Sequence, residues 1–185
     1  MEYEEIIRWV RESVEPIPDL CQRNAYRCAA YLKDDLYLPC VLFREAEAHT
    51  QLALARFDGS RGQVGGTHDP NSYSSIVQTF VAKGNRVSIW DMERVEVSPF
   101  AISPSRLREV KGETRMSWTA FAAVMDDGRE FSFGTSYGTE FFSMPQGYSA
   151  DRISKIIPHR NETTPVYRER PFFECLIELV DFGAA

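Results

Sequence analysis

One pair of segments constrains the fold more than any other part of the chain. The runs Met116–Met125 and Arg129–Phe133 are rich in strand-forming residues, and Asp126-Asp127-Gly128 separates them. Because glycine readily supplies the positive φ of a tight turn, this pattern predicts an antiparallel hairpin. Alternating apolar and polar residues predict further strands over 86–90, 94–100, 139–144 and 173–179. The second half of the chain is therefore expected to be mostly antiparallel sheet.

The segment 1–35 is predicted to form an acidic pair of helices. Apolar residues between Tyr3 and Val14 follow the spacing of an amphipathic helix. After two prolines, Asp19 is in the position of an N-cap for a second helix that carries Cys21, Cys28 and Leu32 on one face. Residues 1–50 contain ten acidic and six basic side chains, so this unit is expected to be acidic.

The middle of the chain gives one ambiguous segment and one clear helix. Leu38–Arg44 and Thr50–Phe57 read as two short strands, but 44–57 is also compatible with a helix, because it is rich in helix-forming residues. An apolar stripe over 73–83 predicts an amphipathic helix that ends near Gly84. A further short helix is predicted over 150–157, with Ser149 as its cap.

These patterns predict an α+β fold, namely a mainly antiparallel β-sheet with an N-terminal helical pair and one central amphipathic helix packed on it. The expected organisation is a single domain over 1–185, in which 36–185 is the sheet-containing body.

The charge and the hydropathy pattern exclude several partners. The net charge is −6, so nucleic acid is an unlikely partner, because phosphate backbones attract basic proteins. No apolar run is long enough to cross a membrane, and the acidic first residues do not resemble an export signal. We therefore expect a cytoplasmic protein that binds no membrane.

The glycine-rich stretch 58–73 is the first candidate site. It precedes the predicted central helix, where free amide groups could hold an anion, but Asp69 is placed to cap that helix with its own carboxylate. We therefore interpret the glycines as a flexible connection. Should the stretch instead cover a pocket, Arg61 is the expected anion contact and His68 the weak candidate for a general base.

The second candidate site is Phe133–Phe142, in which an aromatic-Gly-Thr triplet occurs twice. Thr135, Tyr137 and Thr139 could offer polar contacts to a flat ligand in a cleft. The same glycines are equally compatible with bulges or turns at a strand crossing.

No motif indicates a metal or a cofactor. The three histidines, His49, His68 and His159, are far apart in the sequence, and the four cysteines show no CxxC spacing. Nothing next to Cys40 would activate its thiol for a Cys-His pair with His49. We predict neither a bound metal nor a cofactor.

Two classes of function remain. The first is a small non-catalytic interaction protein, either an accessory or a partner-neutralising domain, whose acidic helical surface attracts a basic protein partner. The second is a small-molecule-binding domain or enzyme in which 58–73 covers a pocket. Whether the protein is an enzyme stays open at this level.

Overall fold

The computed structural model describes residues 1–19, 22–61, 84–110, 118–136, 141–158 and 167–178. Within these ranges the fold is mixed α/β with mostly antiparallel sheets and three α-helices: α1 (Tyr3–Ser13), α2 (Ala46–Arg61) and the one-turn α3 (Pro104–Leu107). The predicted central helix over 73–83 lies outside the described residues. Ten strands are present in the same ranges: β1 (Ile17–Pro18), β2 (Asn24–Leu32), β3 (Tyr37–Glu45), β4 (Met92–Val97), β5 (Thr119–Met125), β6 (Glu130–Thr135), β7 (Phe141–Phe142), β8 (Ile153–Pro158), β9 (Glu169–Arg170) and β10 (Phe173–Ile177).

The larger sheet has five strands in the order β1-β2-β3-β10, with β4 also paired to β2. Its strands run antiparallel except for β10, which lies parallel to β3 with Phe173 opposite Val41 and Ile177 opposite Glu45. The mainly antiparallel character is confirmed. The parallel pair requires a crossover between β3 and β10, and the crossover begins with α2.

Helix α1 forms as the apolar spacing predicts. Glu2 and Glu5 make a reciprocal capping box at its start. Its buried face, which includes Ile6, Ile7 and Val10, packs on the larger sheet in one core cluster with Phe43 and Val41.

The predicted second helix of the N-terminal pair is wrong, because Asn24–Leu32 is strand β2. The strand is buried on both faces over most of its length, so its sequence lacks the alternation of a half-exposed strand. Tyr26, Cys28 and Ala30 belong to the α1 core, and Ala25 belongs to a second cluster with Leu42 and Phe141. A short, alanine-rich apolar run of this kind resembles a buried helix.

The ambiguous segment 44–57 divides between two elements. Strand β3 confirms the prediction for Leu38–Arg44, and α2 follows it directly. The strand interpretation of 50–57 is wrong, and the helix-forming residues there decide the structure.

The predicted helix over 150–157 is also wrong. A 3-10 turn occupies Ala150–Arg152, and Ile153–Pro158 is strand β8. The pairing with β5 shifts register between Val124, opposite Lys155, and Met125, opposite Ile153, so one residue bulges out. The bulge turns both Ile153 and Ile156 towards the core, and this spacing of three imitates a helical pattern.

A bulge also explains the burial pattern of strand β4. Its pairing with β2 shifts between Tyr31, opposite Arg94, and Leu32, opposite Met92. Met92 and Val95 are consequently both buried, three residues apart. The preceding segment 86–90 was predicted to be a strand, which is wrong: Arg86 makes a single bridge to Glu174, and Ile89–Asp91 is a 3-10 turn.

The smaller sheet has the order β6-β5-β8 and contains the predicted hairpin. Gly128 has the expected positive φ of 84° in the turn. Phe121, Phe133 and Phe142 pack against one another at ring distances of 5.5–6.1 Å in its core. The predicted strand over 139–144 is represented by β7, which pairs with β9.

Backbone hydrogen bonds join the segment after β4 to the aromatic half of the molecule. The amide of Phe142 donates to the carbonyl of Phe100 at 2.8 Å, and that of Ala150 donates to the carbonyl of Pro99 at 2.7 Å. In the described part of the chain, no helix has the length and apolar character needed to cross a bilayer.

Candidate functional site

The residues predicted from the two sequence motifs are only partly described. His68, Tyr137 and Thr139 lie outside the described residues, and Arg61 is the last residue of α2. Thr135 ends strand β6 and is buried, with 3% of its surface exposed. The ligand-binding roles of these five residues therefore stay predictions.

An aromatic pair, made of the exposed Trp90 and the partly buried Tyr3, lies at the start of α1. The Trp90 side chain is 65% exposed, which is unusual for a tryptophan, and its ring stacks on the Tyr3 ring at 4.9 Å with an interplanar angle of 20°. We call these two side chains the aromatic platform. Large exposed aromatic side chains are typical anchors of protein interfaces.

Hydrogen bonds hold the Tyr3 ring and the backbone of Trp90. The Tyr3 hydroxyl donates to the carbonyl of Glu178 at 2.8 Å and accepts from the Glu178 amide at 3.1 Å. Burial raises the pKa of the Tyr3 hydroxyl, so it stays a neutral donor at physiological pH. Trp90 lies in the 3-10 turn, where its amide donates to Oγ of Ser88 at 3.2 Å, and the neighbouring Ile89 is buried. The Tyr3 ring, on which the indole stacks, is consequently preorganised.

The two segments that carry the platform are acidic. Segments 1–5 and 89–93 contain five acidic side chains and no lysine or arginine. Glu4, Asp91 and Glu93 are all exposed, whereas the carboxylates of Glu2 and Glu5 take part in the capping box. An electron-rich aromatic face with carboxylates around it favours a cation.

A cleft of about 780 Å³ lies where β3 and β10 end together. Its walls come from the second half of α1, the start of β2 and the first turn of α2. We call it the strand-end cleft. Arg23 bridges Glu45 at 3.4 Å and Glu47 at 3.8 Å within it, and the Glu45 side chain is only 10% exposed.

A buried ionic group lies beside this cleft, on the opposite face of β3. Arg44 donates through Nε to Asp19 at 2.8 Å and through Nη1 to Glu174 at 3.0 Å. Burial on its own would lower the pKa of Arg44, but the hydrogen bonds and charges of Asp19 and Glu174 raise it. The group joins β1, β3 and β10, so its role is structural. The alternation over 173–179 predicts that Glu174 points to the polar face of its strand, but this residue is buried.

The described cysteine thiols are not activated. Cys28, Cys40 and Cys175 are buried and unoxidised, and burial raises the pKa of Cys40 to about 11 and that of Cys175 to about 12. His49, the partner considered for Cys40, is buried in α2. No group of three or more metal-ligating side chains occurs in the ranges that the structure describes.

Comparison with known proteins gives no relative from which a role could be transferred. No protein-family model matches the chain, and no curated protein and no solved structure matches it at a significant level. Functional reasoning therefore depends on the two surfaces described above.

Proposed function

We propose that this protein is a non-catalytic binding protein that docks a basic protein partner on the aromatic platform. The observation that carries the proposal is the exposed Trp90 ring, which stacks on the hydrogen-bonded Tyr3 ring and belongs to an acidic segment. An arginine or lysine of the partner would lie over the indole ring, and the carboxylates around it would balance its charge.

Both the affinity and the rate of binding follow from this arrangement. The Tyr3 ring beneath the indole is preorganised, so little of its side-chain entropy is lost when a partner docks. The acidic surroundings accelerate encounter with a basic surface and make association sensitive to salt. A partner-neutralising or accessory role fits a surface of this kind.

The cellular setting is part of the same proposal. Three buried free thiols suit a reducing compartment, so we place the protein in the cytoplasm. The hydrogen bonds from Phe142 and Ala150 to the segment after β4 support a single domain over 1–185.

A nona-arginine peptide is a suitable probe, because it presents the proposed cation without a folded partner. In an NMR titration at low salt, we expect shift changes at the Trp90 indole N–H and in segments 1–5 and 89–93. Trp90→Ala should weaken binding by roughly 3- to 30-fold, the range of a cation–π contact. Leu36→Ala is the matched control, since Leu36 is an exposed apolar residue (52%) at the β2–β3 turn.

A second pair of variants separates the local acidic surroundings from net charge. Glu4→Gln with Glu93→Gln should weaken peptide binding, whereas Asp151→Asn, which removes an exposed acid from the other sheet, should change it much less. The proposal is wrong if the peptide fails to bind, or if Trp90→Ala binds it as the natural sequence does.

A further inference from the structure

The strand-end cleft has the position and size of a small-molecule site. In sheets with parallel strands, ligands bind at the carboxyl ends of those strands, and β3 and β10 form such a pair. Its volume, about 780 Å³, is within the range of ligand pockets, and its lining is dominated by charged side chains. A polar ligand is therefore favoured over an apolar one.

The charges in the cleft are of two kinds. Arg23 is satisfied by Glu45 and Glu47. Arg11, from α1, and Glu178, from the end of β10, also line the cleft, and neither side chain forms an ion pair with any residue that the structure describes. The cleft thus presents one guanidinium and one carboxylate that are available to a ligand.

Neither a simple anion nor a simple cation satisfies this pattern. An anion would meet the carboxylates of Glu45, Glu47 and Glu178. A cation would meet two guanidinium groups and the positive end of the α2 dipole. A molecule that carries both charges avoids either repulsion.

We propose that the strand-end cleft binds a small zwitterion of the amino-acid class. The ligand carboxylate pairs with Arg11, for which the planar guanidinium offers two parallel donors. The ligand ammonium lies towards Glu178 and Glu47. This site adjoins the aromatic platform through the Glu178 backbone, which the Tyr3 hydroxyl contacts, but it does not depend on the partner proposed above.

The test uses the whole protein and free amino acids as probes. An equimolar mixture of the twenty L-amino acids, each at about 10 mM so that even a weak site would fill, is added to the ¹⁵N-labelled protein. Any amino acid that shifts residues 11, 23–24, 45–50 and 178 is then titrated alone. Its N-acetyl and carboxamide derivatives, which each remove one charge, should bind at least about 10-fold more weakly.

Variants then assign the charges. Arg11→Gln should weaken binding of the amino acid by at least about 10-fold, and Glu178→Gln should weaken that binding by a smaller factor. Arg8→Gln is the matched control, because Arg8 is an exposed arginine of α1 that does not line the cleft. Trp90→Ala should leave amino-acid binding unchanged, which separates this proposal from that for the platform.

The derivative series on the natural sequence decides the outcome even if a variant fails to fold. Equal affinity for an amino acid and for its two singly charged derivatives would overturn the proposal. Absence of any shift at the cleft with all twenty amino acids would overturn it as well.

Discussion

Arg44 and Arg152 make similar contacts in two different surroundings. Arg44 lies in the larger sheet with 13% of its side chain exposed, between Asp19 and Glu174. Arg152 lies at the hairpin end of the smaller sheet, 37% exposed, and contacts Asp126 through Nε and Nη2 at 2.8–3.2 Å. Arginine–carboxylate contacts therefore join strands in the larger sheet, whereas in the smaller sheet they stabilise only a turn at the surface.

The contrast extends to the two cores. The buried charged residues of the described chain, Arg27, Glu45 and Glu174, all belong to the larger sheet. The core cluster of the smaller sheet consists of phenylalanine, isoleucine and other apolar residues. Both candidate binding surfaces lie on the half that tolerates buried charge, so we regard the smaller sheet as the supporting part of the molecule.

Arg44→Met gives the largest expected effect. The substitution leaves the buried carboxylates of Asp19 and Glu174 without their guanidinium. Loss of one partner of a buried ion pair lowers the free energy of unfolding by about 3–5 kcal/mol. Urea denaturation measures the free energy of unfolding. Arg152→Met is the matched control and should lose far less stability, because solvent screens its carboxylates. Equal losses of unfolding free energy in the two variants would show that the arginine contacts of the two sheets contribute equally to stability.

Alkaline pH should next weaken the larger sheet through its buried thiols. Folding raises the pKa of Cys175 from 9.0 to about 12, so above pH 9 the unfolded chain ionises while the folded chain does not. Stability from this group is complete below pH 9 and falls by about 1.4 kcal/mol per pH unit up to about pH 12. Between pH 8 and about pH 11, the free energy of unfolding of Cys175→Ala should decline less steeply than that of the natural sequence, as denaturation at each pH would show. A parallel decline in both proteins would contradict the prediction.

Acid should have the smallest effect, and it should act on the smaller sheet. The hydrogen bond from Arg152 lowers the pKa of Asp126, and the hydrogen bond from the Tyr148 hydroxyl, at 2.5 Å, lowers that of Asp127. Their contribution is present above the ordinary value of 3.8 and is lost as the pH falls through the lowered values. The melting temperature of Asp127→Asn should therefore be slightly lower than that of the natural sequence at pH 7, and the difference between the two should be smaller at pH 3. A gap that does not narrow would show that the turn carboxylate contributes no ionic stabilisation.

The sequence predicts those elements whose local pattern agrees with their environment. Helix α1 has one buried face, and the β5–β6 hairpin has a turn that glycine determines, so both were predicted correctly. Strands β2 and β8 were not, because burial on two faces removes alternation from one and a bulge changes the period of the other. Burial on two faces and the bulge both depend on contacts with other strands, so the sequence of one segment does not indicate them.

The candidate surfaces were harder to predict, since each combines distant segments. Tyr3 and Trp90 meet only because β4 pairs beside the strand on which α1 packs. The acidic character of the N-terminal region was a usable signal, but nothing in the sequence indicated that Trp90 would be exposed. The cleft likewise brings Arg11 and Glu178 together from opposite ends of the chain.

The two bulges have a consequence for solubility. Strands β4 and β8 each pair with one strand only among the residues that the structure describes. A regular open edge is a template on which another strand can add, and a bulge interrupts that template by breaking the row of hydrogen-bonding groups. The irregularities that hid these strands from sequence analysis therefore also make them poorer templates for a further strand.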